Sequence, residues 1–107
     1  MLEAGSRPDV RLFRNSVGVA FYANGQRVKY GLAVGSSDLI GLQRVVITPE
    51  MVGRALGRFL AIETKSDKGK TSAAQDNFLR MVREFGGVAV VCRSVTDALR
   101  ALDGDLT

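Results

Sequence analysis

Two short apolar runs, Phe59-Leu60-Ala61-Ile62 and Val88-Ala89-Val90-Val91-Cys92, flank the clearest helical pattern in the chain, Ser72 to Phe85. Within it, Ala74, Phe78, Met81, Val82 and Phe85 follow the i, i+4, i+7, i+8, i+11 spacing of a core-facing stripe. Ser72 and Gln75 stand three apart as a capping box, and Gly86-Gly87 is a fitting stop. A helix between two strands makes a crossover, right-handed where the strands run parallel. Ser94 then caps a final helix, with Val95, Ala98, Leu99 and Leu102 as its stripe. This half of the chain therefore reads strand, helix, strand, helix.

The first half reads as a β-meander. Val10 to Phe13 is a first strand or the approach to one, and Arg14-Asn15-Ser16-Val17-Gly18 is turn-like. Val19 to Tyr22 and Gln26 to Tyr30 enclose Asn24-Gly25, which suits a type I′ hairpin turn. In the second arm Arg27 and Lys29 alternate with Val28 and Tyr30, so one face is basic and the other apolar. A solvated sheet face and a nucleic-acid contact explain that pattern equally well. A glycine-bearing loop then leads to Asp38-Leu39-Ile40-Gly41-Leu42, a short strand with Asp38, Ile40 and Leu42 on one face. Asp38 at its mouth also suits a turn residue capping its own backbone. Arg44 to Ile47 continues extended, Thr48-Pro49-Glu50 breaks it, and Met51 to Arg58 is a short helix or an irregular arm. The whole predicts one α/β domain over residues 1–107, a mixed β-sheet flanked by helices.

Composition narrows the chemistry. The chain has no histidine, which removes imidazole metal sites and Ser-His-Asp or Cys-His catalysis. Its single cysteine, Cys92, lies in an apolar strand pattern, where a core thiol is expected, and forms no intrachain disulfide, in keeping with a reducing cytosol. A net charge of +4 points towards a polyanionic partner. No apolar run approaches the ~20 residues of a membrane span, and no signal-peptide pattern opens the chain.

The strand Phe59 to Lys65 ends on Glu63-Thr64-Lys65, and alternation sends Glu63 and Lys65 to the same side. With Asp38 from an earlier strand, this offers two carboxylates and an amine. Such a set suits a hard cation, with Mg²⁺ the natural example, and phosphodiester cleavage. The following loop, Ser66 to Thr71, is basic, and its Lys68 and Lys70 suit phosphate contacts. Its Gly69-Lys70-Thr71 is not a nucleotide-binding loop, because Thr64 stands where that motif needs glycine.

Several of these segments together resemble a known family. Arg14 to Gly18, Gly35 to Gly41, Phe59 to Lys65 and Gln75 to Leu79, followed by Gly86-Gly87, look like the VRR-Nuc (virus-type replication-repair nuclease) family of the PD-(D/E)xK superfamily. The resemblance runs from about Arg11 to Leu102. It implies a restriction-endonuclease-like core, Asp38 and Glu63 as ligands of Mg²⁺ or Mn²⁺, and an assisting Thr64 carbonyl. Lys65 is then the catalytic lysine and Gln75 the active-site glutamine, a role that can coexist with the capping box. Arg14 and Asn15 match the family's Arg-Asn element, expected near DNA. The family's Pro-Asp or Ser-Asp element stands here as Ser37-Asp38. Its longer acidic opening helix is reduced to Met1–Ser6, and Glu3 there is left outside the site. Small members of phages and prophages resemble homodimeric Holliday-junction resolvases, which implies branched DNA as substrate and a bacterial or phage-infected cytoplasm. A non-cutting nucleic-acid-binding module and a partner-dependent nuclease subunit are the competing readings.

Overall fold

The computed structural model describes residues 6–104, so Glu3 lies outside the described residues. The chain divides into two compact units, Met1–Gln43 and Arg44–Thr107. Among the described residues six strands form three two-stranded sheets, two antiparallel and one parallel, rather than one continuous mixed sheet.

In the first unit, β1 (Val10–Arg14) pairs antiparallel with β4 (Leu39–Gln43), from Val10 opposite Gln43 to Arg14 opposite Leu39. Between them β2 (Gly18–Phe21) and β3 (Arg27–Tyr30) form a separate hairpin. The expected meander is therefore replaced by a hairpin inserted between two paired strands. Gly41 makes the close pairing possible, because a Cβ there would collide with the Arg11 carbonyl oxygen on β1. At the far end, the Gln43 amide donates to the Asp9 carboxylate at 3.1 Å. That bond, with the Arg7 guanidinium, holds the Asp9 carboxyl below its ordinary value. Its contribution is present above the ordinary carboxylate range and is lost as pH falls through the lowered value.

The hairpin turn departs from type I′. Such a turn needs positive φ at both central residues, yet of Asn24 and Gly25 only Gly25 has it, at 87°. The Tyr22 N–H donates to the Gln26 carbonyl, and the Gly25 N–H to the Tyr22 carbonyl, both at 2.9 Å. The loop is thus Ala23-Asn24-Gly25, three residues long, and the Asn24 side chain accepts from the Gln26 N–H at 3.0 Å. Asn24 escapes the left-handed region because its amide does the bonding there.

The second unit opens with an extended, exposed stretch, a 3₁₀ turn at Pro49–Met51 and an irregular arm to residue 59. Then β5 (Leu60–Thr64), helix α1 (Ala73–Glu84) and β6 (Val88–Cys92) form a β-α-β unit, and α2 (Val95–Asp103) packs on β6. The strands are parallel, with Leu60 opposite Val88 and Thr64 opposite Cys92. Both halves of the expected capping box are present on α1, and Ser94 caps α2 through the Asp97 N–H. At its other end Gly86 takes φ of 90°, and Gly87 lets the chain pass Val82 and the Phe59 carbonyl, where a Cβ would lie 2.7 Å from each.

The buried face of α1 is rotated from the apolar stripe read in the sequence. Leu79 and Val82 are 4% and 0% exposed, while Phe78 is 39% exposed and Ala74 lies on the surface. Gln75, Leu79 and Val82 stand at i, i+4, i+7, and this line meets the sheet. A two-stranded sheet is narrow, so it buries one line of the helix and leaves the flanks of a wide apolar stripe in water. For the same reason β5 is not a fully buried strand: Leu60 and Ile62 remain 48% and 43% exposed. Leu79→Ala is expected to cost about 2–5 kcal/mol, and Ala74→Glu to stay within about 0.5 kcal/mol. Denaturant unfolding of both variants checks the assignment, and the reverse order would restore the wider stripe.

Candidate active site

The carboxyl end of β5 carries the chemistry of the second unit. Alternation places Ala61, Glu63 and Lys65 on the partly covered face, with Leu60, Ile62 and Thr64 on the other. The Lys65 Nζ lies 3.1 Å from Glu63 Oε1, with the two side chains 20% and 29% exposed. Gln75 Nε2 donates to the same oxygen at 2.9 Å. Both contacts fall on Oε1.

The capping box sets the orientation of Gln75. Its Oε1 accepts from the Ser72 N–H at 2.9 Å, and its own N–H donates to Ser72 Oγ at 3.1 Å. With the amide oxygen committed to the helix start, the NH₂ is the end left for Glu63. Capping and carboxylate binding are therefore one arrangement, and the glutamine performs both.

The ladder also decides what Thr64 offers. The Phe59 carbonyl accepts from the Val88 N–H, and the Lys65 N–H donates to the Cys92 carbonyl. Odd-numbered residues of β5 thus direct their backbone groups at β6, and alternation turns the Thr64 carbonyl to the opposite edge. Among the described residues no strand pairs with that edge.

Arg93 is a residue the motif reading missed. It follows β6, and its Nη1 donates to the carbonyls of Ser66, Asp67 (3.4 Å) and Gly69 (2.8 Å). Its backbone N–H in turn donates to the Asp97 carboxylate at 2.8 Å. The guanidinium thus gathers the loop that leaves Lys65 and displays Lys68 and Lys70, both exposed. No local pattern marks it, since its partners lie more than twenty residues away in sequence.

Asp38, Arg14 and Asn15 belong to the first unit. Asp38 is exposed and, with Arg14, Asn15 and Ser36, lines an open pocket of about 530 Å³. Asn15 is only 6% exposed. Its NH₂ donates to Ser36 Oγ (2.7 Å) and the Ser37 carbonyl (2.9 Å), and its Oδ1 accepts from the Leu32 N–H (3.0 Å). Its backbone N–H donates to the Asp38 carbonyl at 2.8 Å. With both amide protons engaged, none is left for a phosphate. Asn15 instead fastens the 31–37 loop and fixes where Asp38 leaves it, while Arg14 is exposed. The same bonds explain why β4 returns beside β1.

The donor chemistry is oxygen throughout. Among the described residues no three His, Cys, Asp or Glu side chains gather into one cluster. The model of the VRR-NUC domain family matches residues 22–96. The chain belongs to the VRR-NUC domain family. No curated protein and no solved structure gives a significant match. The matched VRR-NUC region includes Asp38, Glu63, Thr64, Lys65, Gln75 and Arg93, and begins after Arg14 and Asn15. Membership carries a nuclease function and a nucleic-acid substrate. Among the described residues no helix is long and apolar enough to cross a membrane.

Two variants test the positioning residues of this VRR-NUC chain. Arg93→Ala is expected to raise tryptic cleavage after Lys68 and Lys70 about tenfold, from the loss of about 1–2 kcal/mol of charge-assisted hydrogen bonding. Unchanged rates would mean that the Ser66–Gly69 turn holds itself. Asn15→Ala strands buried polar groups and is expected to lower stability by about 1–3 kcal/mol, measured by denaturant unfolding. Arg14→Ala, on the surface, is the control that should not.

Proposed function

We propose that this chain is a Mg²⁺- or Mn²⁺-dependent DNA endonuclease selective for branched structures. It acts as a homodimer of Holliday-junction-resolvase type in the cytoplasm of a bacterial or phage-infected cell, on the PD-(D/E)xK core of its family. The observation that carries this reading is the Glu63 carboxylate, with Lys65 and Gln75 on one oxygen and, next to it in sequence, a carbonyl turned away from β6.

The donors fit a hard cation. Asp38 and Glu63 offer carboxylates and Thr64 a carbonyl, and Mg²⁺ takes oxygen ligands and completes its shell with water. When bound, such a cation polarises the scissile phosphate and lowers the pKa of coordinated water. Gln75 holds Glu63 by Oε1, which leaves Oε2 to face a ligand. The Lys65 ammonium, already beside the carboxylate, donates to the phosphate oxygens as negative charge builds on them. Arg14, Lys68 and Lys70 neutralise backbone phosphates, and Asn15 and Arg93 each hold a loop of their own unit. In a homodimer, two such sites related by a dyad would cut paired strands of a junction symmetrically.

The test is cleavage of an end-labelled four-way junction and a matched linear duplex, with Mg²⁺, Mn²⁺ or EDTA. Symmetric, metal-dependent cutting of the junction is expected, and Lys65→Ala should lower the rate by about 10²–10³. Asp38→Asn and Glu63→Gln should each weaken Mn²⁺ binding in calorimetry, a readout independent of cleavage. Equal cutting of both substrates would discard the junction preference. Binding without cutting in every metal lane would leave a binding module or a subunit that needs a partner.

A further inference from the structure

The β2–β3 hairpin has a face that neither the active-site residues nor the core of its unit uses. The pairing sets Val19 opposite Lys29 and Phe21 opposite Arg27. Cross-strand partners share a face, so Val19, Phe21, Arg27 and Lys29 lie together. Phe21 is 68% exposed, and Arg27 and Lys29 are exposed with it. On the other face the Tyr30 ring lies over Gly18, where any Cβ would strike it. From Val10 to Ser37 the sequence holds four cations, Arg11, Arg14, Arg27 and Lys29, and no carboxylate.

We infer that this face binds unpaired nucleic-acid bases, with Phe21 as the stacking platform and Arg27 and Lys29 on the flanking phosphates. An aromatic ring offers a π-face to any base, and cations beside it track the backbone, which is how single strands are held without sequence readout. A second copy of the chain fits less well, because a shared face would bring Arg27 and Lys29 against their own counterparts with no carboxylate to offset them. Paired bases in a duplex stay stacked on one another, so the face selects single-stranded stretches over duplex. The inference rests on the nucleic-acid substrate of the family and adds to it the part of the substrate that is read.

The experiment measures binding of end-labelled oligothymidylate to the full chain in EDTA, which prevents cutting. The variants are Phe21→Leu, which keeps apolar bulk without a π-face, and Phe21→Trp, which keeps the π-face. The chain has no tryptophan of its own, so the indole is a sole reporter. Phe21→Leu should weaken binding about tenfold or more, while Phe21→Trp should bind like the wild type, with its fluorescence quenched by the strand. Arg27→Ala and Lys29→Ala should each reduce the slope of log affinity against log salt by about 0.7. Wild-type affinity in Phe21→Leu together with unquenched Trp fluorescence would overturn the assignment. Trp emission that follows protein concentration rather than DNA would overturn it in favour of a second copy. Wild-type protein that binds duplex and junction but no single strand would also overturn it, leaving the nuclease reading intact. No binding to any DNA, either in EDTA or with Mg²⁺ present, would defeat the nuclease reading itself.

Discussion

A parallel pair of strands needs a crossover to carry the chain back to its starting end, and α1 is that crossover between β5 and β6. Its geometry brings the start of the helix to the carboxyl end of β5, the end of an α/β unit where sites are commonly built. Glu63 is the last partly covered position of that strand, Lys65 directly follows its end, and Gln75 is the third residue of the helix. The helix start has backbone N–H groups that need acceptors. Ser72 Oγ accepts from the Gln75 N–H and the Gln75 Oε1 from the Ser72 N–H, and the amide so oriented points its NH₂ at Glu63. The requirement of one helix end thus orients the carboxylate of the candidate site.

Both units hold their polar segments by the same means, a side chain whose donors are spent on the backbone of a distant loop. In the first unit it is the buried amide of Asn15, in the second the exposed guanidinium of Arg93. The loops they fasten are the one that leads to Asp38 in the first unit and the one that carries Lys68 and Lys70 in the second. Leu32 and Val34 of the first loop stay exposed and the second loop, 66–71, has no apolar residue, so hydrogen bonds carry the work of placing both. An exposed charged donor is screened by water in a way a buried amide is not, and Asn15 is accordingly the stronger anchor.

Small sheets leave apolar surface uncovered. Leu60 and Ile62 on β5 and Phe78 on α1 stand half in water because the sheet of the second unit is two strands wide. Phe21 on the hairpin is different, since cations flank it across the strand pair and no carboxylate is near it in sequence. That charge pattern separates a ligand-facing aromatic from an apolar residue that merely lacks cover.

What the sequence determined by itself was local. The order of strands and helices, the capping box at Ser72 and Gln75, and the common face of Glu63 and Lys65 follow from periodicities of two to four residues, which any short segment carries. The family's motifs were readable for the same reason, being short segments in a set order. Tertiary structure decided the rest. The pairing of β1 with β4 depends on Asn15 and Gly41, and the loop clamp on an arginine more than twenty residues from its partners. The buried line of α1 passes through Gln75 and Leu79 rather than Ala74 and Phe78, because the sheet selects one line from a stripe wider than itself. Contacts between residues far apart in the chain have no period, so no pattern along the sequence announces them.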